Sequence, residues 1–146
     1  MLNTPHISTR RVLIADDNRE IRNAVISLIE REFEVVGTVS DGEDLIEAAS
    51  NLKPNIGIID ISMPIMSGIE AVAEIRKSGS PMKFVFLTVS EDADFVSAAL
   101  AAGATGYVIK RNMVTELVKA LKEAESGRTF ISPCCEISSL KNLTYD

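Results

Sequence analysis

The sequence predicts an α/β fold with a parallel sheet and helices on both faces. Short apolar runs alternate with longer segments of 3.6-residue periodicity, five times over. The first run, Val12 to Ala15, is continuously apolar rather than alternating, which fits a strand buried on both faces.

The first run is Val12-Leu13-Ile14-Ala15, ending at Asp16-Asp17. Ile21, Ala24, Val25, Leu28 and Ile29 then form a helix stripe, with Asn18 placed to cap it. Phe33 to Val39 reads as the second strand. Asp41 is positioned to cap a helix whose stripe is Leu45, Ala48, Ala49 and Leu52, and Pro54 ends it. Ile56 to Ile59 is the third strand, finishing at Asp60. Ser67 and Glu70 match a capping box for a helix carrying Ile69, Val72, Ala73 and Ile75. Phe84 to Leu87 is the fourth strand, ending at Thr88. Ser90 is the expected cap of the next helix, whose stripe is Phe95, Val96, Ala99 and Leu100. Glu91 and Asp92 suit its positive end, and Gly103 stops it. Tyr107 to Ile109 is the fifth strand, ending at Lys110. Asn112 is the expected cap of the last helix, with Val114, Leu117, Val118 and Leu121 inward and Gly127 as its stop. One domain over 11–127 follows, with residues 1–10 a flexible start and 128–146 a linker or tail.

Bulk composition narrows the function. The 146 residues suffice for one domain with a substantial core. A net charge of −6 argues against a nucleic-acid grip by this segment alone. Trp is absent and aromatic residues are few, which disfavours a base-stacking surface. No segment reaches the apolar length of a membrane span or secretory signal, so the expected compartment is the cytoplasm and no membrane partner is expected. Cys134 and Cys135 read as two free thiols in the tail. Adjacent Cα atoms, ~3.8 Å apart, are closer than an ordinary disulfide prefers. His6 lies outside the predicted core and receives no catalytic or metal role.

In open α/β sheets, ligands bind beyond the carboxyl ends of the strands. Four of the five predicted strands end in a group able to handle phosphate or metal: Asp16-Asp17, Asp60, Thr88 and Lys110. Singly, each has an ordinary explanation as a turn, cap or solvated residue. Their equivalent placement is harder to dismiss. Three crowded carboxylates repel one another, and a hard divalent cation relieves that conflict. Mg²⁺ takes oxygen ligands and retains positions for water and phosphate oxygens. Lys110 supplies a compact positive charge and Thr88 a hydroxyl donor.

The motifs VLIADDN, IIDISMPIMSG, FVFLTVS and GYVIK, in that order, resemble those of the response-regulator receiver family from about Arg11 to Gly127. The resemblance implies a flavodoxin-like (βα)5 three-layer sandwich with five parallel strands in the order 2-1-3-4-5. It implies that Asp60 is the phosphoacceptor, that Asp17 binds Mg²⁺ directly, and that Asp16 acts near the metal through water. The Ser62 backbone carbonyl would be a further metal ligand. Thr88 would bond a phosphoryl oxygen, Lys110 would pair with the acceptor carboxylate, and Tyr107 would be the switch aromatic, turning inward on phosphorylation. The expected donor is a sensor histidine kinase, and the protein is a signalling phosphoacceptor rather than an enzyme acting on a separate substrate.

Two positions depart from the family pattern. Arg111 stands where many members have Pro, so no proline-linked cis peptide is expected there. Val89 follows Thr88 where many have a smaller residue, which narrows the path to Asp60. The stretch GYVIKRNMVTELVKALKEAESGRTFISP resembles the end of a NarL/FixJ-type receiver. Such regulators continue into a LuxR-type DNA-binding domain, which this chain does not contain, so DNA contact is expected only through that domain. A stand-alone regulator acting by protein contact is the alternative. Dimerisation on phosphorylation fits either reading, with no residue marking the face. A haloacid-dehalogenase-like phosphatase is disfavoured because Ser62 occupies the place of that family's second Asp. A nucleotide or flavin carrier is disfavoured because neither GxxxxGK nor GxGxxG occurs.

Overall fold

The computed structural model describes residues 10–135. Its strands are β1 (Arg11–Ala15), β2 (Glu34–Val39), β3 (Ile56–Ile59), β4 (Lys83–Thr88), β5 (Gly106–Ile109) and β6 (Phe130–Ile131). Its helices are α1 (Arg19–Ile29), α2 (Gly42–Leu52), α3 (Gly68–Lys77), α4 (Ala93–Ala102) and α5 (Met113–Glu125). All pairings are parallel, in the order β2-β1-β3-β4-β5-β6. The order reverses at β1, so the crevice for a ligand opens beyond the carboxyl ends of β1 and β3.

The sheet divides two apolar clusters. Leu13, Ile59, Phe84, Phe86 and Tyr107 face α2, α3 and α4, packing on Leu45, Val72, Ile75 and Val96. Val12, Ile14, Ile58, Val85 and Val108 face α1 and α5, packing on Val25, Ile29, Leu117 and Leu121. Neighbouring residues of one strand point to opposite faces, so an apolar residue at every position serves both layers.

Helix starts follow the predicted chemistry at three of five sites. Asn18 accepts from the Ile21 N–H at 3.2 Å, Asp41 accepts from the Asp44 N–H at 2.8 Å, and Ser67 with Glu70 closes a capping box. The α4 cap is Asp92, not Ser90: Asp92 accepts from the Asp94 N–H at 2.8 Å. Ser90 instead accepts from the Asp92 N–H at 3.2 Å, holding the turn that precedes the cap. Asn112 makes no side-chain cap bond. A 3-10 turn over Lys110–Asn112 runs directly into α5, and its own bond from Met113 N–H to the Lys110 carbonyl does the cap's work. Val114 and Phe95, predicted inward, are exposed. Val114 sits in the first turn of α5, and Ala120 and Ala124 complete the buried stripe in its place.

The segment after Gly127 differs most from expectation. It adds a sixth strand to the five expected. The Phe130 N–H donates to the Thr105 carbonyl at 3.0 Å, and the Ser132 N–H to the Tyr107 carbonyl at 2.8 Å. Both bonds satisfy acceptors on the open edge of β5, which a short apolar strand protects. Cys134 and Cys135 are free thiols as expected, but Cys135 is fully buried in the core rather than exposed in a tail. The expected mobile start up to residue 9, His6 within it, and the tail from 136 onward lie outside the described residues.

Candidate functional site at the carboxyl edge of the sheet

Register brings the predicted residues to one place. Ala15 pairs with Ile59, and the Asp60 N–H donates to the Ala15 carbonyl at 2.8 Å, so Asp16 and Asp60 leave the sheet side by side. Thr88 pairs with Ile109, which sets Lys110 one residue beyond the same edge. Carboxylate oxygens of Asp16, Asp17 and Asp60 lie within 4.8 Å of one another. Asp16 and Asp60 are buried; Asp17 is exposed.

The ammonium of Lys110 bridges the two buried carboxylates, 2.8 Å from Asp16 Oδ2 and 3.1 Å from Asp60 Oδ2. The resemblance implied only the pairing with Asp60. Burial, and then the charge of Asp16, push the Asp60 carboxyl above the usual range; Lys110 and the Ser62 N–H at 3.3 Å pull it down without prevailing. Burial opposes the charge on Lys110, yet the carboxylates of Asp16 and Asp60 outweigh it and hold the ammonium above the ordinary lysine range. Both directions have one cause: the site carries more negative charge than one ammonium balances.

The donor set suits a hard cation. Asp16 Oδ1 accepts from the Asn18 N–H at 2.8 Å, which fixes the carboxylate's orientation. Asp16 Oδ2 is buried, and its charged neighbour is the Lys110 ammonium at 2.8 Å. Three carboxylates with a single ammonium among them offer the oxygen donors that a hard cation takes.

Thr88 is buried at the end of β4, and its Oγ1 accepts from the Ser90 N–H at 3.4 Å. Val89, next in sequence, is 74% exposed. Tyr107, the expected switch aromatic, is inward and fully buried, its hydroxyl donating to the Ser90 carbonyl at 2.8 Å. The Ser90 carbonyl offers an acceptor within the pocket, so the ring can bury without stranding its hydroxyl. Burial accordingly pushes the phenol well above its usual range.

Two supporting residues were not singled out from the sequence. Arg22 donates to the Asp16 carbonyl at 2.6 Å, anchoring the acidic turn to α1. Gly68 lets α3 approach the acceptor: a Cβ there would lie 2.1 Å from the Asp60 carbonyl oxygen. A signal for Gly68 existed, because glycine in a helix's first turn forgoes helix propensity and needs a packing reason.

Comparison with known proteins agrees with this geometry. Residues 12–122 match the family described as the response regulator receiver domain. The chain is 33% identical over 125 residues to the response regulator GacA of Pseudomonas aeruginosa, covering 84% of this chain and 58% of that protein. It thus spans less than two thirds of this curated relative. The crystal structure of a LuxR-family two-component response regulator from Aurantimonas sp. SI85-9A1 superimposes with a TM-score of 0.88 at 30% identity, covering 93% of this chain and 99% of that one. A LuxR-family DNA-binding response regulator from Staphylococcus aureus gives a TM-score of 0.74 at 30% identity, covering 78% and 97%. A matched family over most of the chain, close superposition on solved response regulators and a basic residue bridging paired aspartates lead to one assignment: the chain belongs to the response regulator receiver family of two-component signalling.

Proposed function

We propose that Asp60 accepts a phosphoryl group from the phosphohistidine of a sensor histidine kinase, and that the change is passed to a transcriptional output. The carrying observation is the Lys110 ammonium set between Asp16 and Asp60, at 2.8 and 3.1 Å, on the ligand-binding edge of the sheet. The nucleophile is a carboxylate oxygen of Asp60, which attacks phosphorus in line with the departing imidazole nitrogen. The P–N bond breaks, an acyl phosphate forms, and the imidazole leaves with the donor's electron pair. Lys110 holds positive charge beside the transferring oxygens throughout. Thr88 Oγ1 supplies a hydroxyl to a phosphoryl oxygen, exchanging its contact with the Ser90 N–H for that bond. The carboxylates of Asp17 and Asp60 and the Ser62 carbonyl would hold Mg²⁺, with Asp16 acting on it through water. When bound, the ion neutralises charge on the carboxylates and phosphoryl oxygens.

Tyr107 is buried with its hydroxyl on the Ser90 carbonyl, and in this reading phosphorylation of Asp60 favours that inward position. The effect runs through the β4–α4 loop, which carries both Thr88 and the Ser90 carbonyl. The surface of α4, β5 and α5 is the element so biased. The LuxR-family names of the structural neighbours, and the 58% coverage of GacA, support a DNA-binding output domain beyond this segment. In this reading the protein works in the cytoplasm, dimerises on phosphorylation, and confines its chemistry to its own aspartate. No described helix is long and apolar enough to cross a membrane. Incubation with a small phosphodonor such as acetyl phosphate and Mg²⁺ labels the wild-type chain and leaves Asp60→Asn unlabelled. Labelling of the variant at the same stoichiometry contradicts the proposal.

A further inference from the structure

The turn after β6 places two thiols beside the Tyr107 pocket, and the carboxylate chemistry uses neither. Cys135 is fully buried in the same apolar cluster as Tyr107, Val96 and Ile109. Cys134 is half-buried, and the two sulfurs lie 4.0 Å apart. Two donors point at the outer sulfur: Arg111 Nη2 at 3.8 Å and Asn112 Nδ2 at 3.9 Å. Arg111 is itself held by an ion pair with Glu91 in the β4–α4 loop. Reactive cysteines are partly exposed and lie in electropositive surroundings. Cys134 is the partly exposed thiol of the two, with the Arg111 guanidinium against its sulfur and the Glu91 carboxylate also beside it. Cys135 is enclosed, and burial followed by the neighbouring Cys134 sulfur pushes its thiol up to about 12.

We propose that Cys134 and Cys135 form a redox-sensitive pair in which a hydroperoxide oxidises Cys134 and Cys135 then closes a disulfide with it. The Cys134 sulfur attacks the peroxide; an S–O bond forms, the O–O bond breaks, and the leaving oxygen departs as water with the thiol proton. The Cys135 sulfur next attacks the Cys134 sulfenic acid. An S–S bond forms, the S–O bond breaks, and a second water carries away the Cys135 proton. Two thiols lose two electrons in all, and one hydrogen peroxide is reduced to two waters.

The product cannot keep the present turn. The sulfurs must close from 4.0 Å to about 2.05 Å. Neighbouring Cα atoms, ~3.8 Å apart, lie below the ordinary disulfide range, so the backbone has to rearrange. That rearrangement withdraws Cys135 from the Tyr107 cluster. It also strains the bonds that fasten β6: Ser132 N–H to the Tyr107 carbonyl at 2.8 Å, and Ile109 N–H to Ser132 Oγ at 3.0 Å. Oxidation therefore loosens the sheet edge beside the aromatic, whether or not Asp60 carries phosphorus.

The test uses the full 146-residue chain, reduced and folded at neutral pH, with hydrogen peroxide as the probe. The expected product is lighter by about 2 Da, and peptide mapping places the disulfide between Cys134 and Cys135. Amide exchange at Ile109 and Ser132 rises about tenfold on oxidation. Cys135→Ser instead accumulates a Cys134 sulfenic acid that dimedone traps, and Cys134→Ser leaves Cys135 unoxidised. Arg111→Gln slows Cys134 oxidation about tenfold. Brief iodoacetamide labelling of the wild type, which needs no variant to fold, modifies Cys134 before Cys135. Oxidation or alkylation of Cys135 first, disulfides only between separate chains, or an unchanged rate in Arg111→Gln each overturns the proposal.

Discussion

Asp60→Asn should make the metal-free protein more stable at neutral pH, although it removes half of a salt bridge. At an effective dielectric constant of about 20, Lys110 at 3.1 Å attracts the Asp60 carboxylate by about 5 kcal/mol. Asp16, with oxygens within 4.8 Å, repels it by about 3.5 kcal/mol on the same scale. The difference of about 2 kcal/mol favours the charge, but withdrawing a carboxylate from water costs several kcal/mol. The ionised carboxylate is thus a net burden on the order of 1–3 kcal/mol, in line with the raised Asp60 titration. Asparagine keeps the shape, discards the charge and leaves Lys110 beside Asp16. An acid whose folded titration lies above its unfolded one, near ~3.9, binds more protons folded than unfolded between the two. Stability therefore falls as pH rises through that interval, and the cost is complete above it. Urea denaturation with a chelator should show Asp60→Asn ahead of wild type by about 1–3 kcal/mol at pH 7.5, or about 2–4 °C in Tm for each kcal/mol. The gap should narrow as pH falls through the Asp60 titration. Equal or lower stability of the variant at pH 7.5 refutes the reasoning.

Four further outcomes follow from the same geometry. Mg²⁺ should stabilise the wild type, by about 2.7 kcal/mol at a hundredfold excess over Kd, and have little effect on Asp17→Asn; thermal melts with and without chelator compare them. Gly68→Ala should cost about 1–3 kcal/mol in urea denaturation and slow phosphorylation, because its methyl group meets the Asp60 carbonyl oxygen at 2.1 Å. Tyr107→Phe should cost about 1 kcal/mol in the same assay by removing the donor to the Ser90 carbonyl. Val89→Ala should accelerate labelling by acetyl phosphate or hydrolysis of the product, since a β-branched side chain directly after Thr88 narrows the path to Asp60; equal rates in both assays contradict that.

The fold was legible because the pattern is redundant. Four of the five predicted strands are buried on both faces, each helix brings its own stripe, and three caps form the predicted bonds. The edge of the sheet was not legible. Phe130-Ile131 is too short a run to announce a strand, and it pairs only because β5 presents unsatisfied carbonyls across the tertiary structure. Cys135 is buried for the same non-local reason. Ser90 and Asp92 are both competent caps, and only the backbone path selects Asp92. At the site, strand-end positions were visible in sequence, since Asp16, Asp60, Thr88 and Lys110 each follow an apolar run. Side-chain pairing was not: nothing in the spacing says that Lys110 spans Asp16 as well as Asp60. Nor does it reveal that Tyr107 rests inward, which depends on one carbonyl in the preceding loop.

Reductive trapping addresses the central claim most directly. Borohydride treatment of the chain after phosphodonor exposure converts an aspartyl phosphate to homoserine, and peptide sequencing by mass spectrometry reads its position. The account predicts homoserine at residue 60, with none at 16 or 17. Homoserine at another aspartate, or phosphate retained on a serine or threonine with residue 60 unchanged, would contradict it.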